Sequence, residues 1–262
     1  MPIYSHSKIL SFETCPLRYK YAYIERVEPD AEQTAEIYLG ARVHETLEKL
    51  YRNLDLDHEM SKKELLAFYN REWKKKWTDS VLILKEDMTQ EDYQKQGEKY
   101  IRDYYKTQQP FKEGRILGLE LTDSFALDEK GTFRYYIRID RLMDVEGGLY
   151  EVHDYKTNLT LPNQKELDED RQLAMYSLWV RKEFKDCRDV RLVWHFLAFN
   201  KEMESYRTEE ELENLRHMIL NKIRAIEEAK EYPAETSKLC LWCLYKSRCP
   251  YWVKTKPAEQ EF

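Results

Sequence analysis

Asp140 and the run Asp154-Tyr155-Lys156 are the residues of this chain best suited to chemistry. Side chains alternate along an extended strand, so Asp154 and Lys156 share a face. A short hairpin through Glu146-Gly147-Gly148 can set Asp140 across from them. Two carboxylates beside an ammonium make a cage for a hard divalent cation. Phosphodiester hydrolysis needs such a cation, a deprotonated water and compensation for developing charge. Asp140 and Asp154 can bind the ion, while Lys156 can orient the water or offset the charge. Taken alone, an Asp-x-Lys pair on a strand is more often a solvated face, so its setting matters.

His44 supplies part of that setting. It falls within a helical pattern through Ile37, Ala41, Leu47 and Tyr51, with Leu50 and Leu54 alongside, which points its imidazole inward. A histidine so placed is more often a hydrogen-bonded core residue, but it can also complete a metal shell. Imidazole suits Mn²⁺ better than Mg²⁺, so both ions are expected to serve, with manganese favoured. Glu120, on the strand before Asp140, is a secondary candidate beside an equal reading as a solvent-facing carboxylate.

The cysteines form a second constellation. Cys240 and Cys243 are three apart, Cys249 follows, and Cys15 is the other cysteine near a terminus. Four thiolates suit tetrahedral Zn²⁺ or a [4Fe–4S] cluster, and the spacing alone does not choose. Cys187 has no partner at ligand spacing and reads as an ordinary thiol. Trp242, Tyr245, Lys246, Arg248, Tyr251, Trp252, Lys254 and Lys256 interleave rings with cations. Such a mixture either stacks and neutralises a single nucleic-acid strand or simply wraps the metal site.

These residues need elements to position them. Ile9, Phe12, Leu17 and Tyr21 mark a helix over 5–24 bent near Pro16, and a second helix covers 33–53. Charged, aromatic helical patterns at 61–79 and 90–109 make 55–112 an inserted helical layer. The period then changes: 114–127, 132–145 and 149–157 read as a three-strand meander. A helix over 164–184, a strand over 189–199 and a helix over about 208–231 lead into the cysteine region at 232–256. The expected fold is one α/β domain over 1–262, a central mixed sheet flanked by helices.

At 262 residues, with 35% charged and 13% aromatic residues but 7 Gly and 8 Pro, the chain can bury a substantial core without disulfides. No stretch is long and apolar enough to span a membrane, and the first twenty residues lack a signal-peptide core. Five cysteines suit a reducing compartment, so a cytoplasmic protein is expected. The net charge of −6 counts mildly against nucleic-acid binding, although local patches decide that.

Gly40-Ala-Arg-Val-His44, Ile139-Asp140-Arg141, Asp154-Tyr-Lys-Thr157 and Gln172-Leu-Ala-Met-Tyr176 occur in that order. The order and residues resemble the RecB/AddB-like branch of the PD-(D/E)xK nucleases over nearly the whole chain. The resemblance implies a restriction-endonuclease-like core. It makes His44, Asp140, Asp154 and the main-chain carbonyl of Tyr155 metal ligands and Lys156 the catalytic lysine. Gln172 and Tyr176, on one helical face, would approach the substrate strand or support the lysine. Arg138 departs from the pattern, standing where the family often has Gly. One early and three late cysteines resemble the iron–sulfur staple of AddB, CRISPR-associated adaptation nucleases and exonuclease V, which favours [4Fe–4S] over zinc on Cys15, Cys240, Cys243 and Cys249. The activity so implied is metal-dependent cleavage of single-stranded DNA or DNA ends, alongside a helicase or CRISPR integrase partner. The competing readings are a non-catalytic DNA-binding scaffold and a zinc-binding regulator.

Overall fold

The computed structural model describes residues 1–111 and 114–254. Lys112, which closes the expected insertion, the side chain of Lys254, and Lys256 lie outside the described residues.

One sheet has six strands, and aliphatic and aromatic runs between turn signals account for its four long ones. Three long strands, β4 (Arg115–Ala126), β5 (Arg134–Asp144) and β6 (Leu149–Lys156), form the antiparallel meander. Gly147 and Gly148, both at positive φ, turn β5 into β6, and a Cβ on Gly148 would stand 2.5 Å from the Asp186 carbonyl. β7 (Asp189–Phe196) runs parallel to β6, and β8 (Lys201–Ser205) returns antiparallel to β7. A short β1 (Ile3–Tyr4) pairs parallel with Arg134–Tyr135 of β5, so the sheet is mixed. β1 and β8 are additions to the sequence reading. Two residues of β1 carry no period, and Lys201-Glu-Met-Glu-Ser205 is too polar to look like a strand because it forms an edge.

Each face of the sheet carries its own core. On one side, α1 (His6–Thr14), α7 (Gln172–Glu183) and α8 (Glu209–Glu228) pack through Ile9, Leu173, Val180, Leu220 and Ile223 onto Ile137, Ile139 and Val152. On the other side, α3 (Ala35–Leu54), α4 (Lys62–Lys76) and α5 (Gln90–Gln108) enclose Val43, Leu47, Trp73 and Ile101 with Tyr155 and Leu197. The expected helical layer is therefore a full sheet-covering layer. Reciprocal caps start α4 (Ser61 with Glu64), α5 (Thr89 with Asp92) and α8 (Thr208 with Glu211). α4 and α5 approach so closely that a Cβ on Gly97 would overlap the Tyr69 hydroxyl. Two residues of β2 (Gln33–Thr34) and β3 (Val81–Leu82) form a small separate parallel pair.

Three sequence boundaries move. The buried stripe of α3 runs through Tyr38, Leu39, Val43, Leu47, Leu50 and Tyr51, while Ile37 is 55% exposed, because Tyr38 takes the inward place against Trp73. The helix expected over 164–184 is two, α6 (Gln164–Asp168) and α7. They break where the Asp170 carboxylate accepts from Leu173 N–H and Arg207 takes the carbonyls of Leu167 and Asp170. The first helix ends at Thr14, and α2 (Pro16–Tyr19) then runs into a π-turn over Lys20–Glu25. Within that region Tyr19, rather than Tyr21, is buried.

Candidate active site

β5 and β6 pair from Asp144–Tyr150 to Arg141–His153 and then part. Continued by one step, the register would put Asp140 opposite Asp154, so both carboxylates stand at the fork. One residue further on, Tyr155 turns its N–H and C=O to the side that β5 has left, as an extended residue must. The N–H donates to Asp140 Oδ2 at 2.9 Å, and the carbonyl accepts from His44 Nε2 at 2.7 Å. α3 brings His44 from one layer, while Lys156 leans to the other and donates to Gln172 Oε1 of α7 at 3.0 Å. The site is thus assembled from both faces through the gap in the sheet.

The histidine's protonation follows from its neighbours. A carbonyl can only accept, so Nε2 carries a proton. Nδ1 lies 3.4 Å from Asp140 Oδ1 and 3.8 Å from Glu120 Oε1, both acceptors, so it carries one too. Burial pulls the imidazole pKa down, yet the Asp140 and Glu120 carboxylates hold it up at about 10. Burial pushes the Asp140 carboxyl up, but the imidazolium and the Tyr155 N–H bring it below the usual carboxylate range. Asp154 is raised by its burial and by Asp140, with Lys156 Nζ 2.8 Å from its Oδ2 opposing. Burial would lower Lys156, but Asp154 holds it above the ordinary lysine value, so it is an ammonium. Gln172 donates from Nε2 to the Tyr176 hydroxyl at 3.2 Å, completing a chain that fixes the lysine's acceptor.

One ligand atom each from His44, Glu120 and Asp140 lies within 4.8 Å of the others. Asp154 is outside that set, turned toward Lys156. Glu120 thus enters the centre more directly than its sequence position suggested, helped by a left-handed backbone (φ 47°) unusual for glutamate. Such a conformation costs about 1–3 kcal/mol and survives where surrounding structure imposes it. Its other oxygen, Oε2, accepts from Arg138 Nε at 2.6 Å. His44, Glu120 and Arg138, with Arg42, Glu45, Glu48 and Lys76, line an open depression of about 370 Å³ beside the fork. The donors suit a hard divalent ion: one imidazole, carboxylate oxygens and a carbonyl. Two carboxylates meet His44 here, and a proton on His44 occupies the position of charge that a dication would take.

Behind the fork lies a buried polar group that sequence reasoning passed over. Arg141, 1% exposed, stacks 3.9 Å over the Tyr51 ring and donates to His153 Nδ1 at 2.9 Å. That acceptor role makes His153 Nε2 the N–H that meets Glu151 at 3.0 Å. The signal was present in Glu151-Val-His-Asp-Tyr-Lys156, which places polar groups on both faces of one strand.

The cysteines present a looser arrangement. All five are half-buried and none forms a disulfide. Cys15 sits at the break between α1 and α2. The tail reaches it there: Leu17 N–H donates to the Pro233 carbonyl at 3.1 Å, Asp30 N–H to that of Leu244 at 2.7 Å, and the Tyr21 hydroxyl to that of Arg248 at 3.1 Å. Burial pushes the Cys243 thiol up, with Cys15 and Cys240 near enough to add to the effect. The N–H of Ser237 donates to Cys240 Sγ at 3.4 Å, and that of Tyr245 to the Cys243 sulfur. Among the described residues no three sulfurs come as close together as the ligand atoms of His44, Glu120 and Asp140, which lie within 4.8 Å of one another. Four thiolates suit either a four-iron cluster or a single zinc ion, and N–H donors to sulfur occur at both. Cys187 is apart, its Sγ 3.6 Å from the Asp189 carbonyl. Trp242 and Tyr251 are 43% and 56% exposed, and Lys246 lies 4.8 Å over the Trp252 ring.

Comparison with known proteins gives a consistent answer. The family model described as "PD-(D/E)XK nuclease superfamily" matches residues 3–250. A solved structure from Eubacterium rectale named "Putative exonuclease" superposes with a TM-score of 0.52 at 12% identity, covering 99% of this chain and 90% of that one; this likeness is one of fold. Another, SSO0001, has a TM-score of 0.34 at 16% identity over 51% of this chain and 59% of that one, too low to bear on the argument. No curated protein matches the chain. No helix among the described residues is long and apolar enough to cross a membrane.

Proposed function

From its membership of the PD-(D/E)XK nuclease superfamily, we propose that this chain is a divalent-metal-dependent exonuclease acting on single-stranded DNA or DNA ends. One observation carries the proposal: His44, Glu120, Asp140 and the Tyr155 carbonyl converge at a fork in the sheet, with a held ammonium beside them. His44, Asp140, Asp154, Glu120 and the Tyr155 carbonyl would hold Mn²⁺ or Mg²⁺. When bound, such an ion supplies Lewis acidity and lowers the pKa of water.

The protein's own contribution is positioning and charge. Lys156, kept protonated by Asp154 and aimed by Gln172, orients the attacking water and offsets charge developing on the phosphate. Tyr176 fixes the Gln172 amide and so the direction of the lysine. Asp140, anchored by the Tyr155 N–H, keeps one oxygen facing His44.

Incubating purified protein and Mn²⁺ or Mg²⁺ with end-labelled single strands tests this reading. Progressive shortening from an end is expected, lost with chelator and in Asp140→Ala or Lys156→Ala protein. Bound but uncut DNA would favour the scaffold reading, and full activity in both variants would refute the site.

The cysteine set supports a [4Fe–4S] cluster on Cys15, Cys240, Cys243 and Cys249 that staples the N-terminal helices to the tail. Together with the Asp-Tyr-Lys-Thr strand it supports the RecB/AddB-like branch, hence work in recombination repair or CRISPR adaptation beside a helicase or integrase. Unpaired thiols suit the cytoplasm. Brown protein absorbing near ~400 nm with four irons per chain is expected; colourless protein with stoichiometric zinc would overturn the cluster.

A further inference from the structure

Glu120 faces two ways. Oε1 lies 3.8 Å from His44 Nδ1 and belongs to the metal-ligand group, while Oε2 accepts from Arg138 Nε at 2.6 Å. The left-handed backbone at Glu120 holds the carboxylate at this junction. Arg138 is 59% exposed in its side chain and lines the open depression with His44, Glu48 and the set Arg42, Lys76 and Glu45, in which Glu45 pairs with both cations. Its partner is therefore a carboxylate that a cation would claim. A guanidinium released from a carboxylate offers the same fork of donors to a phosphate.

We propose that Arg138 is a phosphate-binding residue held in reserve by Glu120 and released when the metal ion arrives. This rests on the metal site proposed above and adds an order of events to it. Without the ion, Glu120 neutralises Arg138 and the depression is poor in free positive charge. An ion held through Oε1 would draw the Glu120 charge toward the centre and weaken the hold of Oε2 on Arg138, so that Arg138 could take a phosphate of the strand entering the depression. The DNA strand then binds well only to a loaded site. The Arg138 side chain is exposed and its main chain, which a substitution keeps, is what meets Tyr176 of the core, so truncating the side chain should leave the fold intact.

The geometry makes two predictions of opposite sign for one substitution. Arg138→Ala frees Glu120 and should tighten Mn²⁺ binding, measured by calorimetry, about two- to fivefold, the worth of a partly exposed ion pair. The same variant should lose DNA affinity only when metal is present. In a Lys156→Ala background that leaves the strand intact, fluorescence anisotropy across a salt series should show a steeper slope with Mn²⁺ than without. Arg138→Ala should remove about 0.7 from the metal-loaded slope, one phosphate contact on a single strand, and nothing from the metal-free slope. Arg138→Lys should restore the slope in part, because the charge returns without the planar fork.

Equal loss of DNA affinity with and without Mn²⁺ would make Arg138 a permanent contact and overturn the exchange. Unchanged Mn²⁺ and DNA binding would overturn it as well. If the unsubstituted protein binds no Mn²⁺, or if Asp140→Ala leaves Mn²⁺ binding undiminished, the underlying metal site fails, a result distinct from failure of the exchange alone.

Discussion

Asp140 and Lys156 are fully engaged by their own chain, whereas Cys15, Cys240, Cys243 and Cys249 stand half-buried on short turns with neighbours such as Leu239 and Trp242 facing solvent. The first region rests on two cores: helices on both faces of the sheet hold His44, Asp140 and Lys156 in their hydrogen bonds at the fork. The second has few apolar contacts of its own and draws its order from hydrogen bonds between the tail and the N-terminal helices. Preorganisation therefore differs, and with it the role of a ligand. At the fork a cation would take the place of the proton on His44 in a cage already formed. At the tail a cluster would complete the fold itself.

Substitutions can separate these two roles. Asp140→Ala or Lys156→Ala should cut the cleavage rate at least about a thousandfold, with circular dichroism and melting temperature little changed. A matching collapse of structure would show that the fork is no better organised than the tail. Gln172→Ala, which removes the lysine's acceptor, should cost about ten- to a hundredfold in kcat with little change in KM. Cys243→Ser should act the other way, lowering the melting temperature by roughly 10 °C and removing bound iron, while activity per folded molecule persists.

The smallest effect probes the link between the regions. Glu13, two residues before Cys15, pairs through both oxygens with Arg171 of the α7 cap and also with Lys222. Hydrogen bonds from Arg171 hold its carboxyl at about 2, against burial, with Lys222 assisting. A depressed carboxylate pKa stabilises above the ordinary value of 4.5 and loses that contribution as pH falls from there toward 2. Glu13→Gln should thus cost on the order of 1–2 kcal/mol at pH 7, after allowance for solvent screening, and the deficit should vanish near pH 2 in denaturant titrations.

How far the sequence revealed these regions follows from what each rests on. The meander was legible because β-branched and aromatic runs stand between turns marked by Gly131, Gly147 and Gly148. Asp140, Asp154, Lys156 and His44 could be singled out because short-range period fixes the face of a side chain. Glu120 stayed secondary because its role depends on a backbone angle that no spacing encodes. Arg138 stood out only as a departure from a pattern, and its partner lies eighteen residues away on another strand. The break between α6 and α7 was hidden for the same reason, since Arg207, which takes the freed carbonyls, is remote in sequence. Ile37 misled because its apolar character suited the stripe that Tyr38 actually occupies.

The opening between β5 and β6 has a consequence for how this centre tolerates change. Tyr155 gives it an amide hydrogen and a carbonyl oxygen, atoms present whatever side chain is attached, while its ring packs against Tyr104 of α5, His195 of the neighbouring strand β7 and, edge-on, His44. Substitution at 155 can therefore loosen the interior without deleting a ligand. Proline is the exception: lacking the amide hydrogen, it would unfasten Asp140 and disturb the centre through the main chain.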